Sequence, residues 1–114
     1  MKNKSDIKQA IESEYKVLDA IEREPSTTQR NLAYKLNFSI GKVNYVLRSL
    51  FDRGLVKLGN FKESKEKHGY IYILTKEGVT EKLKITKLFL NEKIEEYEKV
   101  QMEIQELKEK LENH

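Results

Sequence analysis

A chain of 114 residues, 38% hydrophobic and 36% charged, has room for one compact domain with an appendage; it is too apolar for a disordered polypeptide and too short for a second domain with its own pocket. Without cysteine it can build no disulfide framework, thiolate metal site or thiol nucleophile, and no stretch approaches the ~20 apolar residues that cross a bilayer. The net charge of +3 is uneven: residues 25–76 hold ten Lys or Arg against three acids, a balance of +7, while residues 1–24 come to −1 and 77–114 to −3. A basic centre between mildly acidic flanks is the layout of a module that meets a polyanion, although a solvated lysine-rich surface has the same composition. A reducing compartment suits the cysteine usage, and the expected location is cytoplasmic, on the nucleoid, with no membrane partner.

Ile7, Ala10, Ile11, Tyr15, Leu18 and Ile21 recur every three or four residues, which predicts an amphipathic helix over about 6–23 with Ser5 as its cap. Pro25 should stop it. Thr28 can cap a short second helix through Leu36, with Leu32, Ala33 and Leu36 inward, and Asn37 and Phe38 make a tight connection. Ser39 caps a third helix that buries Val43, Val46, Leu47 and Leu50 and runs to Arg53, and Gly54 ends it. Residues 55–61 and 70–74 then read as two short strands joined by a polar, basic loop, a hairpin of the kind called a wing. Thr75 caps a long helix over about 76–111.

In that last helix Leu83, Leu90, Tyr97, Ile104 and Leu111 fall seven residues apart, and Val100 and Leu107 fill the intermediate positions. With Ile94 beside them they form a candidate dimerisation seam. The amino half of the helix is expected to pack on the domain and the carboxyl half to form a coiled-coil arm between two copies, parallel or antiparallel; the alternative is a fold-back onto the first helix. The fold class is therefore mainly α with a small β-hairpin, a winged helix-turn-helix followed by a long C-terminal helix. The division is into a DNA-binding domain, 1–82, and a dimerisation helix, 83–114.

In a helix-turn-helix the second helix braces the third, whose outer face enters the major groove. The buried positions of the third helix leave Ile40, Gly41, Lys42, Asn44, Tyr45 and Arg48 on or near its outer side, and no acid occurs in residues 39–51. Lys42 and Arg48 can donate to phosphate or guanine, Asn44 matches the adenine edge, and Tyr45 suits a thymine methyl or a phosphate. Gly41 would let the duplex come close. Ser39 and the start of the second helix, Thr28, Gln29 and Arg30, complete the candidate face. Lys62, Lys65 and Lys67, with His68, form the loop tip and can track phosphate or enter the minor groove, although Glu63 and Glu66 lie among them.

The segments Ser39-Ile40-Gly41-Lys42-Val43-Asn44-Tyr45, Arg53-Gly54-Leu55-Val56-Lys57, Asn60-Phe61-Lys62 and the run from Gly69 to Gly78 resemble the EPS-associated branch of the MarR-family transcriptional regulators. The resemblance spans about Tyr15 to Val100, and the first segment is its most specific part. It implies a winged-helix regulator encoded near bacterial exopolysaccharide biosynthesis genes. The chain departs from that pattern in the wing, where Lys62-Glu63-Ser64-Lys65 replaces an Asp-x-Arg pair.

An enzyme is not expected. The two histidines, His68 and His114, have no positioned partner, no phosphate-binding glycine loop occurs, and the carboxylates stand at ion-pair spacing on helix faces. Neither a metal nor a cofactor is expected, and no effector ligand can be named. The expected partners are double-stranded DNA and a second copy of the chain. The rival reading is a winged-helix module for protein–protein assembly.

Overall fold

The computed structural model describes residues 3–24, 27–59 and 71–114. Four helices, α1 (Lys4–Arg23), α2 (Gln29–Leu36), α3 (Ile40–Asp52) and α4 (Lys76–Glu112), alternate with three short strands, β1 (Thr27–Thr28), β2 (Val56–Leu58) and β3 (Ile71–Leu74). The fold class expected from the sequence is the one observed, with the sheet larger than a hairpin. β1 pairs antiparallel with β3, as does β2, in the order β1-β3-β2. A two-residue strand has no readable period, so β1 escapes sequence reading.

α1 begins two residues before the expected start, and its cap is Asn3 instead of Ser5. Asn3 Oδ1 accepts from Asp6 N at 2.9 Å while Asp6 Oδ2 accepts from Asn3 N at 3.4 Å, so two backbone donors are satisfied reciprocally. The helix ends at Arg23; Pro25, expected to stop it, lies outside the described residues. Thr28 caps α2 through Asn31 N, Ser39 caps α3 through Lys42 N, and Thr75 caps α4 through Gly78 N, all as the sequence suggests. Asn37 closes α2 in the left-handed region (φ 55°), and Phe38 N–H reaches back to Ala33 O at 3.0 Å, so the turn into α3 is tight. Gly54 closes α3 at φ 73°, one residue beyond the C-cap Arg53.

Val17, Leu18 and Ile21 of α1 meet Leu32 and Ala33 of α2 and Val43, Val46, Leu47 and Leu50 of α3, with Leu55 and Val56 closing the core beneath. Each buried aliphatic contributes about 1.5–3 kcal/mol, so the four on α3 fix which of its sides faces outward. The inward stripe expected for α1 is only partly right. Ile7 is 48% exposed and Ala10 is also exposed, whereas Ser13 is buried. The first turns of α1 overrun the three-helix core, and Lys8 there stands 3.9 Å from the Glu95 carboxylate of α4.

α1 and α4 run antiparallel, as Lys82 with Asp19, Tyr15 with Phe89 and Lys8 with Glu95 show in succession. The Tyr15 and Phe89 rings stack with centroids 4.8 Å apart. Packing on the domain therefore continues past residue 83, where the sequence suggests a boundary. From Lys93 onward every residue of α4 is exposed, and the 37-residue helix, about 55 Å long, accounts for most of the 68 Å length of the molecule.

Candidate nucleic-acid interface

α3 is the element to which the sequence assigns recognition, and its surroundings set what each side chain can reach. On the outer side Ile40 is 53% and Tyr45 70% exposed, and Gly41, Lys42, Asn44 and Arg48 are exposed as well. On one flank Lys42 and Tyr45 border a cleft of about 400 Å³ shared with Asp6, Ser13 and Glu14 of α1. On the other, Asn44 and Arg48 border a groove shared with Phe51 of α3 and with Leu58 and Tyr72 of the sheet. The described outer face of α3 through Phe51 thus offers cationic and amide donors and no carboxylate, which suits phosphate oxygens and base edges.

The remaining candidates divide by position. Ser39 is exposed but its hydroxyl is engaged as the α3 cap, accepting from Lys42 N at 3.0 Å. Thr28 is 6% exposed and its hydroxyl accepts from Asn31 N at 3.1 Å as the cap of α2. Gln29 is half-buried and its Nε2 donates to Ile40 O at 3.3 Å, tying α2 to the first turn of α3. Arg30 is exposed on α2. Lys62, Lys65, Lys67 and His68 lie outside the described residues.

Sequence reading missed Phe38, whose ring lies 4.0 Å from the Lys42 ammonium while packing against the core. The signal was present as an aromatic residue four positions ahead of a lysine at a helix start. The field of Lys42 also reaches α1. The Glu12 carboxyl is held below its ordinary value, first by its hydrogen bond with Lys16, against burial, and then by the charges of Lys16, Lys93 and Lys42.

The seam residues of α4 are all uncovered in the single chain. Leu83 (65%), Leu90 (56%), Tyr97 (63%) and Leu107 (59%) are exposed, as are Ile94, Val100, Ile104 and Leu111. By contrast Gly78 and Ile85 are buried and Lys82 and Phe89 half-buried, so the amino half of α4 packs on the domain with one side and leaves Leu83 and Leu90 uncovered on another. Among the described residues no cluster of potential metal ligands occurs, and no helix is long and apolar enough to cross a membrane.

Three core helices, a small antiparallel sheet built from β1 before α2 and from β2 and β3 after α3, and a long terminal helix define a winged helix-turn-helix fold. Residues 12–57 match the family model described as winged helix-turn-helix DNA-binding. Several solved regulators share the architecture. A MarR transcriptional regulator from Methanosarcina mazei Go1 is 22% identical, with a TM-score of 0.56 over 68% of this chain and 56% of that one. Wild-type MarR from E. coli in its apo form is 25% identical, with a TM-score of 0.57 over 67% of this chain and 55% of that one. Streptococcus pneumoniae FabT, solved in complex with DNA, is 21% identical, with a TM-score of 0.56 over 74% of this chain and 57% of that one. The chain spans little more than half the length of these regulators. A search of curated proteins gives no match.

Proposed function

We propose that this chain is a sequence-specific DNA-binding transcriptional regulator that acts as a homodimer. α3 enters the major groove, the 62–69 wing meets phosphate or the minor groove, and the α4 seam joins two copies on a pseudo-palindromic operator with half-sites about 10 bp apart or a multiple of that. The observation that carries the reading is the exposed, acid-free outer face of α3, with Lys42, Asn44, Tyr45 and Arg48 presented by a braced helix-turn-helix. The DNA complex of FabT, which has the same fold, supports it. Exopolysaccharide biosynthesis genes are the proposed targets, on the resemblance of residues 39–45 and 69–78 to the EPS-associated regulators. A cytoplasmic, nucleoid-bound location follows from the same reading.

The test is selection of bound sequences from random DNA, followed by binding to the selected site over a range of salt. A regulator of this kind yields a symmetric site, and its affinity falls steeply and linearly in log–log form with salt. An assembly module yields no enriched site, and its apolar interface responds weakly to salt.

A further inference from the structure

Around an α-helix successive residues are ~100° apart, so Asn44 and Arg48 stand ~40° from each other and Gly41 ~20° beyond Arg48, on one edge of α3. Lys42 lies ~120° from Arg48, on the flank toward α1. It is held there, with its ammonium 4.0 Å from the centre of the Phe38 ring and the ring packed against the core. Gly41 adds a second observation. A Cβ built on it would meet nothing within 4 Å, so no packing inside the protein requires a glycine at a helical position where alanine is favoured. The missing side chain leaves room for something outside the chain.

A helix seated in the major groove turns one edge to the bases and its flanks to the phosphates. We propose, resting on the DNA-binding reading above, that α3 divides these tasks between two edges. Gly41, Asn44 and Arg48 meet the bases, with the Gly41 backbone as the point of closest approach, and Lys42, set in place by Phe38, anchors phosphate. Phe38 is a positioning residue that never touches DNA. Asn44 and Arg48 set the preferred sequence; Lys42 sets affinity for any sequence.

The experiment measures binding of the full chain to its selected site and to every single base-pair variant of it, at several salt concentrations, with a thermal melt of each protein. Asn44→Ala and Arg48→Ala should each lose roughly tenfold or more on the selected site and become indifferent at one base pair. Lys42→Ala should weaken all sequences alike and lower the salt slope by about one. Phe38→Leu should weaken all sequences in the same manner, and Phe38→Tyr, which keeps the ring, should restore binding. Gly41→Ala should melt higher and yet bind DNA less tightly, a combination that a purely structural glycine does not give. Loss of preference at one base pair in Lys42→Ala, no rescue by Phe38→Tyr, or a Gly41→Ala protein that is more stable and binds as tightly overturns the division. A parent chain that selects no sequence overturns the DNA-binding reading itself; a parent that selects one while the variants behave in those contrary ways overturns only the assignment of edges.

Discussion

The hydroxyl of Thr75 donates to Gly54 O at 2.6 Å and at the same time accepts from Gly78 N at 3.0 Å. One oxygen thereby joins the end of α3 to the start of α4, and Thr75 N–H adds a bond to Leu55 O at 3.0 Å. The start of α4 is thus tied to the residue that follows the C-cap of the proposed reading helix. Replacing Thr75 by Val removes the hydroxyl at constant shape and leaves both its partners unpaired. Stability should fall by about 1–2 kcal/mol, and Thr75→Ser should recover most of it. Thermal melts of the two variants decide the point, and equal melting temperatures would remove this tie from the account.

Gly78 faces the same junction from the other side. A Cβ on it would lie 2.0 Å from Leu55 O and 3.2 Å from Leu74 Cδ2, and the first of these is backbone that cannot turn aside. Gly78→Ala gains helix propensity but forces α4 away from the entry to β2, so a net loss of about 1–3 kcal/mol is expected. An alanine variant as stable as the parent in denaturant titration would show that α4 and Leu55 are not so close.

Farther along the same contact Lys82 Nζ donates to Asp19 Oδ1 at 2.9 Å and is also paired with Glu22. Burial works against the charge of Lys82, but its hydrogen bonds to Glu22 and Asp19 and the charges of both outweigh that and raise its pKa. Burial likewise opposes the charge of Asp19, and the bond and charge of Lys82, with those of Arg23, outweigh it and lower its pKa. The signs give a window. A depressed Asp19 contributes stability above its unfolded value, lost as pH falls below about 4. A raised Lys82 contributes stability below its unfolded value, lost as pH rises through its folded value above about 10. Lys82→Met should cost about 1 kcal/mol at neutral pH and flatten the acid limb of the stability curve. A curve with the parent's slope in acid would place that limb elsewhere.

How far the sequence reveals this molecule depends on whether the deciding contact is local. As helix caps Thr28, Ser39 and Thr75, like Gly54 at the end of α3, act within a few residues of themselves, and each stands where its chemistry suggests. The apolar spacing of α3 was equally clear, because Val43, Val46, Leu47 and Leu50 face one core. Ile7 and Ala10 continue the period of α1 beyond the point where the core ends, so periodicity alone places them inward while the fold leaves them exposed. The bond from Gln29 to Ile40 O could not be read from the sequence, because its partner lies eleven residues away across a turn. Phe38 read as turn filler, since only the α3 cap geometry turns the Lys42 ammonium over its ring.

Charge reversal tests the outer face as a whole. Lys42→Glu and Arg48→Glu are both made at exposed positions; Arg48→Glu should leave stability within about 0.5 kcal/mol, and Lys42→Glu, which gives up the contact with Phe38, should cost no more than about 1 kcal/mol. Each should abolish measurable binding to the selected site at moderate salt. Retention of parental affinity by both would exclude α3 as the reader.

The seam of α4 makes the last prediction, that the chain is a symmetric dimer. Leu83 to Leu111 places apolar side chains along about 42 Å of helix, and in the single chain all eight seam residues are exposed. A stripe of that length stays in water at a steep cost, and pairing with a second copy covers it. In the single chain α1 does not cover it: the amino half of α4 packs on α1 as far as the Lys8–Glu95 pair, and every residue from Lys93 onward is exposed. Ile104→Asp with Leu107→Asp places two carboxylates in the seam beyond that contact, where neither residue touches the domain. The doubly substituted protein should stay folded and sediment at the 13.5 kDa of one chain, while the parent sediments at twice that mass at micromolar concentration. On DNA the variant should keep its affinity for an isolated half-site and lose the gain that a symmetric site gives the parent, since two binding events no longer act as one. A parent that sediments as a single chain, or a variant that still binds the symmetric site as tightly, contradicts dimerisation through α4.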